Sequence, residues 1–465
     1  MTAPPSPTLG DPSTLGRVHI VGIGGAGMSA IATVLRAMGH EVSGSDLRES
    51  GVTERLRSLG ITVSSGHDAA NVEGADLVTV STAVRADNPE VIEARQRGIP
   101  VLARAETLAA IAALKRCIAI AGTHGKTTTA SMLSLILVEA GMRPSFLIGG
   151  DVNEIGTNAV WDTGEWIVVE ADESDGTFLH LVPEIAVITN VEPDHLDHYG
   201  SFEAVRAAFR TFLDSAGRSV VGADDAEAQV IGRAAGSELV GLSDDVDYAI
   251  ASPSLGRSAV AFDLRERDGS LVTHVQVAVP GLHNAKNAAV ATVAALAAGA
   301  NPEAVSRALA RFAGVARRFE FRGEKGGVTY VDDYAHLPTE VRAALAAARD
   351  GEWGRVIAVF QPHRYSRTAD FGEQFGDAFE DADVVVVTDV YGAGEAPVPG
   401  VSGRLVADAV RRSRPDVELH YLANHTELVG TVAGLLRPGD LCLTLGAGDL
   451  TSLPDELMAA DGTGT

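Results

Sequence analysis

Cysteine is nearly missing from this chain: its 465 residues hold two, Cys117 and Cys442, each inside an apolar run. Two such thiols give no disulfide framework, which excludes the stapled secreted scaffolds and fits two small hydrophobes in a reducing compartment. Cationic side chains are also scarce, with 37 Lys and Arg against 62 Asp and Glu and a net charge of −25. That field repels polyphosphate surfaces, so a general nucleic-acid or anionic-membrane binder is excluded, and any anionic ligand must meet local positive groups. Long apolar runs are absent: no stretch approaches the roughly eighteen uninterrupted residues of a membrane span. The opening MTAPPSPTLGDPSTLG lacks both the basic and the apolar segment of a secretory signal. The expectation is a cytoplasmic protein without membrane insertion, whose residues 1–16 form a loose tail. No internal repeat of fixed period is present.

What is present is enough apolar content, 46%, for several cores, and the length suggests about three domains of roughly 150 residues each. The chain is organised around Cys117 to Met132, CIAIAGTHGKTTTASM, an apolar strand that breaks at Gly122 and restarts as a helix at Lys126. A glycine-bounded turn at a helix N-terminus turns backbone N–H groups toward an anion. The Lys126 ammonium adds positive charge, and the Thr127 hydroxyl suits Mg²⁺. This is a nucleoside triphosphate cradle, although Ile120 stands where the first glycine of the full phosphate-loop pattern would be.

Before the cradle, Arg17 to Ile23 reads as a strand entering Gly22-x-Gly24-Gly25-x-Gly27, followed by a helix from Met28 to Met38 and a strand Glu41 to Asp46. Asp46 follows the last glycine at the spacing of a ribose-binding acid, so a diphosphate-bearing nucleotide is implied; the pattern does not say which, and NAD(P) stays open. Strands at Asp76 to Thr82 and Ile99 to Leu102, with a helix Asn88 to Arg97, continue the α/β alternation to about Ala109. After the cradle, strand Trp166 to Val169 delivers Glu170, the first metal candidate. Asp172, Glu173 and Asp175 behind it read equally well as a solvated acidic loop. Strand Ile185 to Thr189 delivers Asn190-Val-Glu192-Pro-Asp194-His195, and His195 among carboxylates is a candidate ligand of a second divalent ion. A β-rich piece spans Tyr248 to Val279, nearly alternating over Leu271 to Val279. In the helix after Pro280-Gly281, Asn284 and Asn287 lie three apart on one face, fit for a helix cap or a purine edge. A third α/β unit begins near Val315. Its strand Val328 to Val331 delivers Asp332 and Asp333, and Val356 to Phe360 delivers His363, Arg364 and Arg367. Those arginines suit a carboxylate or phosphate. Strands Val384 to Thr388 and Leu441 to Leu445 complete the unit.

Taken together GIGGAGMS, GTHGKTTT, VEADESDGTF, TNVEPDHLDHY, HNAKN, DDYAHLPTE, QPHRYSRT and YGAGEAP, in this order, resemble the Mur ligase family of peptidoglycan synthesis over nearly the whole chain after the tail. The resemblance implies an α/β fold of three domains. They are a Rossmann-like domain over 17–109 for the UDP-sugar, a central P-loop-type ATPase over 110–314 with a parallel sheet and a small β piece, and a Rossmann-like domain over 315–465 for the amino acid that closes over ATP. It implies an ADP-forming ligase that uses ATP and two Mg²⁺ ions. Within the family the absence of lysine from Ser201 to Val220 matches the alanine-adding branch, whose partners are UDP-N-acetylmuramate and L-alanine, because most other branches carry a carbamoylated lysine there.

By the same resemblance Gly22, Gly24, Gly25, Ala26, Gly27, Asp46 and Ser81 hold the UDP-sugar. Gly122, Thr123, His124, Gly125, Lys126, Thr127 and Thr128 hold the phosphates of ATP, with Thr127, Glu170 and His195 on the metals. Asn284 and Asn287 face adenine, and Arg318, Asp332 and Asp333 address the nucleotide. Tyr334, His336, His363, Arg364 and Arg367 surround the alanine. Lys126, Glu170, His195, Arg318 and His336 are the catalytic candidates. One departure stands out: Leu337 occupies a position where the family commonly has a second histidine. The alternatives are a recycling ligase that attaches a preformed peptide to the same sugar, a folate polyglutamate ligase, or, from another class, a nucleotide-binding regulator or a dehydrogenase. A dehydrogenase leaves Lys126, Glu170 and His195 without a task, and a regulator leaves Arg364 and Arg367 without one.

Overall fold

Most of the parallel strands here are short apolar runs buried on both faces, as helix-covered sheets require. The computed structural model describes residues 16–460, so the expected tail lies outside the described residues except for Gly16. Three sheets follow one another along the chain. The first is parallel and runs Thr62–Ser65, Glu41–Asp46, Arg17–Val21, Leu77–Val80, Val101–Ala103. Strand order reverses between Arg17–Val21 and Leu77–Val80, which puts the glycine loop and Ser81 at the switch point where open sheets bind ligands.

The second sheet has ten strands. Its cradle strand Arg116–Ala121 lies between Ile185–Ile188 and Trp166–Glu170, with Ala121 beside Ile188 and Ile120 beside Glu170. That register brings Gly122, Glu170 and Asn190 out at one edge of the sheet. The β-rich piece forms Tyr248–Leu255, Val260–Glu266 and Leu271–Val277, continuous with this sheet, and the alternation of Leu271–Val277 is matched by alternating burial. The third sheet runs Glu320–Lys325, Val328–Asp333, Asp440–Leu445, Arg355–Phe360, Val384–Thr388, Glu418–Leu422. Asp333 and Phe360 both pair with Leu445, so the polar segments after these strands leave the sheet together.

The helix Lys126–Glu139 shows why a polar sequence can be buried: Thr127, Thr128, Thr129, Ser131 and Ser134 are all buried on it. Short hydroxyls turn back onto the preceding turn, as Ser131 does by donating to the Thr127 carbonyl at 2.7 Å. Cys117 and Cys442 are buried as expected, and burial pushes both thiols up to about 12, so they stay protonated.

The expected end of the first domain, near Ala109, lies within the helix Arg104–Ala112. In the third sheet Glu320–Lys325 pairs antiparallel with Val328–Asp333, and Gly326 and Gly327, both at positive φ, make the turn. By packing, the chain forms two compact units. One holds the chain up to Ala251 with Asp263–Val275 and Lys286–Ala310; the other holds Ser252–Phe262, Gln276–Ala285 and Arg311–Thr465. Among the described residues no helix is long and apolar enough to cross a membrane.

Candidate active site

The cradle is built by two glycines that no other residue could replace. Gly122 has φ +137°, and a Cβ there would lie 2.0 Å from the Thr189 hydroxyl and 3.1 Å from the Asn190 carbonyl. Gly125 has φ +78°, and its Cβ would meet Asn287 Oδ1 at 2.5 Å. The turn is then clamped from the strand end next door. Asn190 Oδ1 accepts from the His124 amide at 2.8 Å, its Nδ2 donates to the His124 carbonyl at 3.0 Å, and the Thr123 hydroxyl accepts from the Glu192 amide at 2.9 Å. The His124 ring faces Glu192 at 3.2 Å. Asn190 was not among the expected site residues; its place directly after an apolar strand was the available signal.

Lys126 reaches across the turn. Its Nζ donates to the Gly122 carbonyl at 2.6 Å and sits 2.8–2.9 Å from both carboxylate oxygens of Glu173. Glu173 is 4% exposed, so the solvated-loop reading of this residue is corrected: it is an interior carboxyl. Its main-chain carbonyl accepts the Tyr199 hydroxyl at 2.6 Å, and His195 Nε2 stands 3.7 Å from Oε1. Burial raises the Glu173 carboxyl to about 7 against the pull of Lys126. Burial also disfavours the Lys126 charge, but Glu173, Asp172 and Glu170 outweigh it and raise its pKa.

Beside them Thr127 Oγ1 donates to Glu170 Oε1 at 3.0 Å, and Glu170 Oε2 accepts from the Gly149 amide at 2.6 Å. A hydroxyl and a carboxylate side by side are hard oxygen donors of the kind Mg²⁺ takes, and that ion keeps waters and substrate phosphates for its other positions. His195 sits at φ +55°, a strained value for a non-glycine residue, with Nε2 3.3 Å from Asp194. Among the described residues no group of three or more His, Cys, Asp or Glu is arranged to hold a metal by itself.

At the switch point of the first sheet, Asp46 turns inward. Its carboxylate accepts from the amides of Gly24 at 2.8 Å and Arg48 at 3.1 Å, so the acid expected at a ribose holds the glycine loop in shape. Ser81 adjoins Gly22, whose Cβ would lie 3.0 Å from that of Ser81. The helix Ala26–Ala37 starts at Gly25, and the amides of its first turn have no intrahelical acceptor.

Asn284 and Asn287 begin the helix Leu282–Ala297 but do different work. Asn284 is buried and donates to the Pro280 carbonyl at 2.7 Å, fastening the helix start, while Asn287 stands against Gly125 of the cradle.

In the unit after Arg311, Asp332 is 1% exposed and accepts from the Thr444 and Thr451 hydroxyls, each at 2.6 Å, with Arg317 Nε at 3.4 Å. Both of its oxygens are committed inside the fold, so it braces Arg317, which also donates to the Gly446 carbonyl at 2.8 Å. Asp333 accepts from the amides of Phe319 and Ala335, each at 2.7 Å, and burial raises it to about 6 despite the Arg318 charge. The Arg317 and Arg318 guanidiniums lie 4.9 and 5.0 Å from the centre of the Tyr334 ring.

His336, His363 and Tyr391 form a row, with His336 5.6 Å from His363 and the His363 ring stacked on Tyr391 at 5.8 Å. Arg367 approaches His363 Nδ1 at 3.1 Å, and Arg364, at φ +67°, pairs with Glu395 at 3.7 Å. Leu337 is buried at the start of the helix Pro338–Arg349.

Burial lowers His336 to about 4 and His363 to about 3, with His336 and Arg367 adding to the effect on His363. Both rings are therefore neutral at pH 7. Because their folded pKa values lie below the unfolded value, their contribution is full above about pH 6.5 and is lost as pH falls toward 4 and 3. The melting temperature is expected to drop between pH 6.5 and 4.5, and to drop less in His363→Gln; equal drops in both proteins would contradict this assignment.

Three family profiles match in chain order: "Mur ligase family, catalytic domain" over residues 17–116, "Mur ligase middle domain" over 120–295 and "Mur ligase, glutamate ligase domain" over 317–448. A UDP-N-acetylmuramate–L-alanine ligase of Anaeromyxobacter sp. is 47% identical over 448 residues, covering 95% of this chain and 97% of its own length. Another from Saccharopolyspora erythraea is 49% identical over 463 residues, covering 96% and 93%. Among solved structures, the UDP-N-acetylmuramate-alanine ligase of Thermotoga maritima matches with a TM-score of 0.81 at 30% identity, covering 95% of this chain and 98% of that one. A murein peptide ligase of Psychrobacter arcticus matches with a TM-score of 0.68 at 25% identity, covering 97% and 99%. With all three domains matched in order and relatives near half identity over almost their full length, the chain belongs to the Mur ligase family.

Proposed function

We infer that this chain is an ATP-dependent, ADP-forming ligase that joins L-alanine to the lactyl carboxylate of UDP-N-acetylmuramate, a step in making peptidoglycan precursors for the cell wall. The observation that carries the chemistry is the cradle, where Lys126 is held 2.8–2.9 Å from Glu173 next to the Thr127–Glu170 pair. In this reading residues 17–109 take the UDP-sugar at the glycine loop, with Gly22 to Gly27 on the diphosphate and Ser81 beside it. Residues 110–314 take ATP, and 315–465 take the amino acid.

A carboxylate is a poor acyl donor. Activation by ATP gives an acyl phosphate whose leaving group is phosphate, and the amine of alanine then displaces it to form the amide, with ADP and phosphate as co-products. Lys126 neutralises charge on the phosphates as the γ-phosphoryl group moves, and the clamp of Asn190 on His124 keeps the loop amides aimed at them. Thr127, Glu170 and His195 would hold two Mg²⁺ ions, which supply further charge stabilisation when bound. Asn287 would meet adenine. Arg318, on Tyr334, is the cation left for the nucleotide once Arg317 is tied to Asp332. Arg364 and Arg367 grip the alanine carboxylate, which raises the effective concentration of the amine. His336 and His363, at about 4 and 3, are too weakly basic to collect a proton at neutral pH and act as uncharged partners that shape the pocket.

The alternative is the peptide-recycling reaction of the murein peptide ligases. The structural match behind it is the weaker of the two, a TM-score of 0.68 against 0.81 for the alanine ligase. Phosphate release from ATP, measured with UDP-N-acetylmuramate and either alanine, glycine, serine or a short muropeptide, separates the two when product masses are read. Release with alanine and a product heavier than the sugar nucleotide by one alanyl residue is expected. Release that ignores the sugar, or that needs the peptide, overturns the reading.

A further inference from the structure

Arg104 belongs to no motif, yet it touches both loops of the first compact unit that the proposed function uses. It opens the helix Arg104–Ala112, and its side chain is 16% exposed. On one side its Nη1 lies 3.0 Å from where a Cβ of Gly27 would be, so the guanidinium rests against the glycine loop. On the other side Nη2 donates to Asp175 at 2.9 Å and to the Thr177 hydroxyl at 3.0 Å, and stands 3.5 Å from Asp172. The acidic segment that it holds also carries Glu173, the partner of Lys126.

We propose that Arg104 is a positioning residue through which the UDP-sugar loop and the ATP cradle act on each other. The proposal rests on the reading that a UDP-sugar diphosphate binds at Gly22 to Gly27 and a triphosphate at Lys126. The physical argument is competition for one guanidinium. A diphosphate at the glycine loop takes up N–H donors of Arg104 and weakens its hold on Asp172 and Asp175, since a fork of five donors divides among the anions in reach. The segment between those two aspartates is then less tightly fixed, and Glu173 yields Lys126 to phosphate at lower cost. Binding at either loop therefore favours binding at the other, with equal coupling in both directions.

The test uses the full chain with Mg²⁺ and calorimetric titration of ADP, with and without saturating UDP-N-acetylmuramate. In the unaltered protein the sugar nucleotide is expected to tighten ADP at least about fivefold. In Arg104→Gln the tightening is expected to fall below about twofold, while ADP alone binds within about threefold of the unaltered protein. Asp175→Asn cuts the same link from the other side and is expected to give the same loss, which covers the case in which Arg104→Gln does not fold. Full tightening in a folded Arg104→Gln or Asp175→Asn protein, or none in the unaltered one, overturns the proposal. If the unaltered protein binds neither nucleotide, the functional reading itself fails, and it takes the proposal with it.

Discussion

Replacing Lys126 with alanine is expected to lower the ligation rate at least about a thousandfold while UDP-N-acetylmuramate still binds. The ammonium is held at the glycine turn by the carbonyls of Gly122 at 2.6 Å and Thr123 at 3.3 Å, on the residue directly after Gly125. The sugar nucleotide is assigned to the loop of a different sheet, so its affinity is a control that a general collapse would not spare. The substitution also strands Glu173: burial already raises its carboxyl to about 7 against the pull of Lys126, so without that charge it takes up a proton and stays as a buried acid without its partner. The double variant Lys126→Ala with Glu173→Gln replaces that acid with an amide that needs no countercharge. It is expected to recover thermal stability but not turnover. Phosphate release and sugar-nucleotide titration on both proteins make the measurement. Turnover within tenfold of the unaltered enzyme would remove Lys126 from the chemistry.

Arg367→Ala is expected to raise the KM for alanine by about 10- to 100-fold, the scale of one charge-assisted hydrogen bond to a carboxylate. Arg367 stands 3.1 Å from His363 and close to the row of His336, His363 and Tyr391, a setting with two neutral imidazoles. Arg364, one turn away, faces Glu395 at 3.7 Å. Arg367→Lys keeps the charge but not the planar fork, and is expected to recover only part of the affinity. The affinity for ADP is expected to stay unchanged in both variants. An unaltered KM for alanine in Arg367→Ala would place the amino-acid carboxylate elsewhere.

The sequence made the phosphate cradle legible because its signal is local. An apolar run ends at a glycine, and the helix Lys126–Glu139 starts at the residue where it was expected. Strands Glu41–Asp46 and Val384–Thr388 were likewise found to the residue, the second because its apolar run is closed by an aspartate on each side. The edge strands Glu320–Lys325 and Glu418–Leu422 were missed: each is half polar, and edge position is decided by neighbours far along the chain. The site shows the same limit. Asp46, Asn284 and Asp332 have the residue types of ligand-binding groups, and the fold also uses them: Asp46 accepts from Gly24, Asn284 Nδ2 donates to Pro280, and Asp332 accepts from Thr444 and Thr451. A one-dimensional pattern carries residue type and spacing, and it does not carry which way a carboxylate turns. Glu173 is the converse case. Its acidic surroundings suggest solvent, and only the approach of Lys126 and Tyr199 from distant segments makes it interior.

Leu337, the departure from the family pattern, has a simple physical setting. The main-chain amides that open the helix Pro338–Arg349 are answered by Glu340, whose Oε2 accepts from His336 at 2.9 Å and Leu337 at 3.2 Å. The side chain at 337 thus has no capping duty, and its slot asks only for a body of suitable size. A different residue at 337 would therefore leave the hydrogen bonds that open this helix in place, because they run from the main chain to Glu340 and not through the side chain at 337.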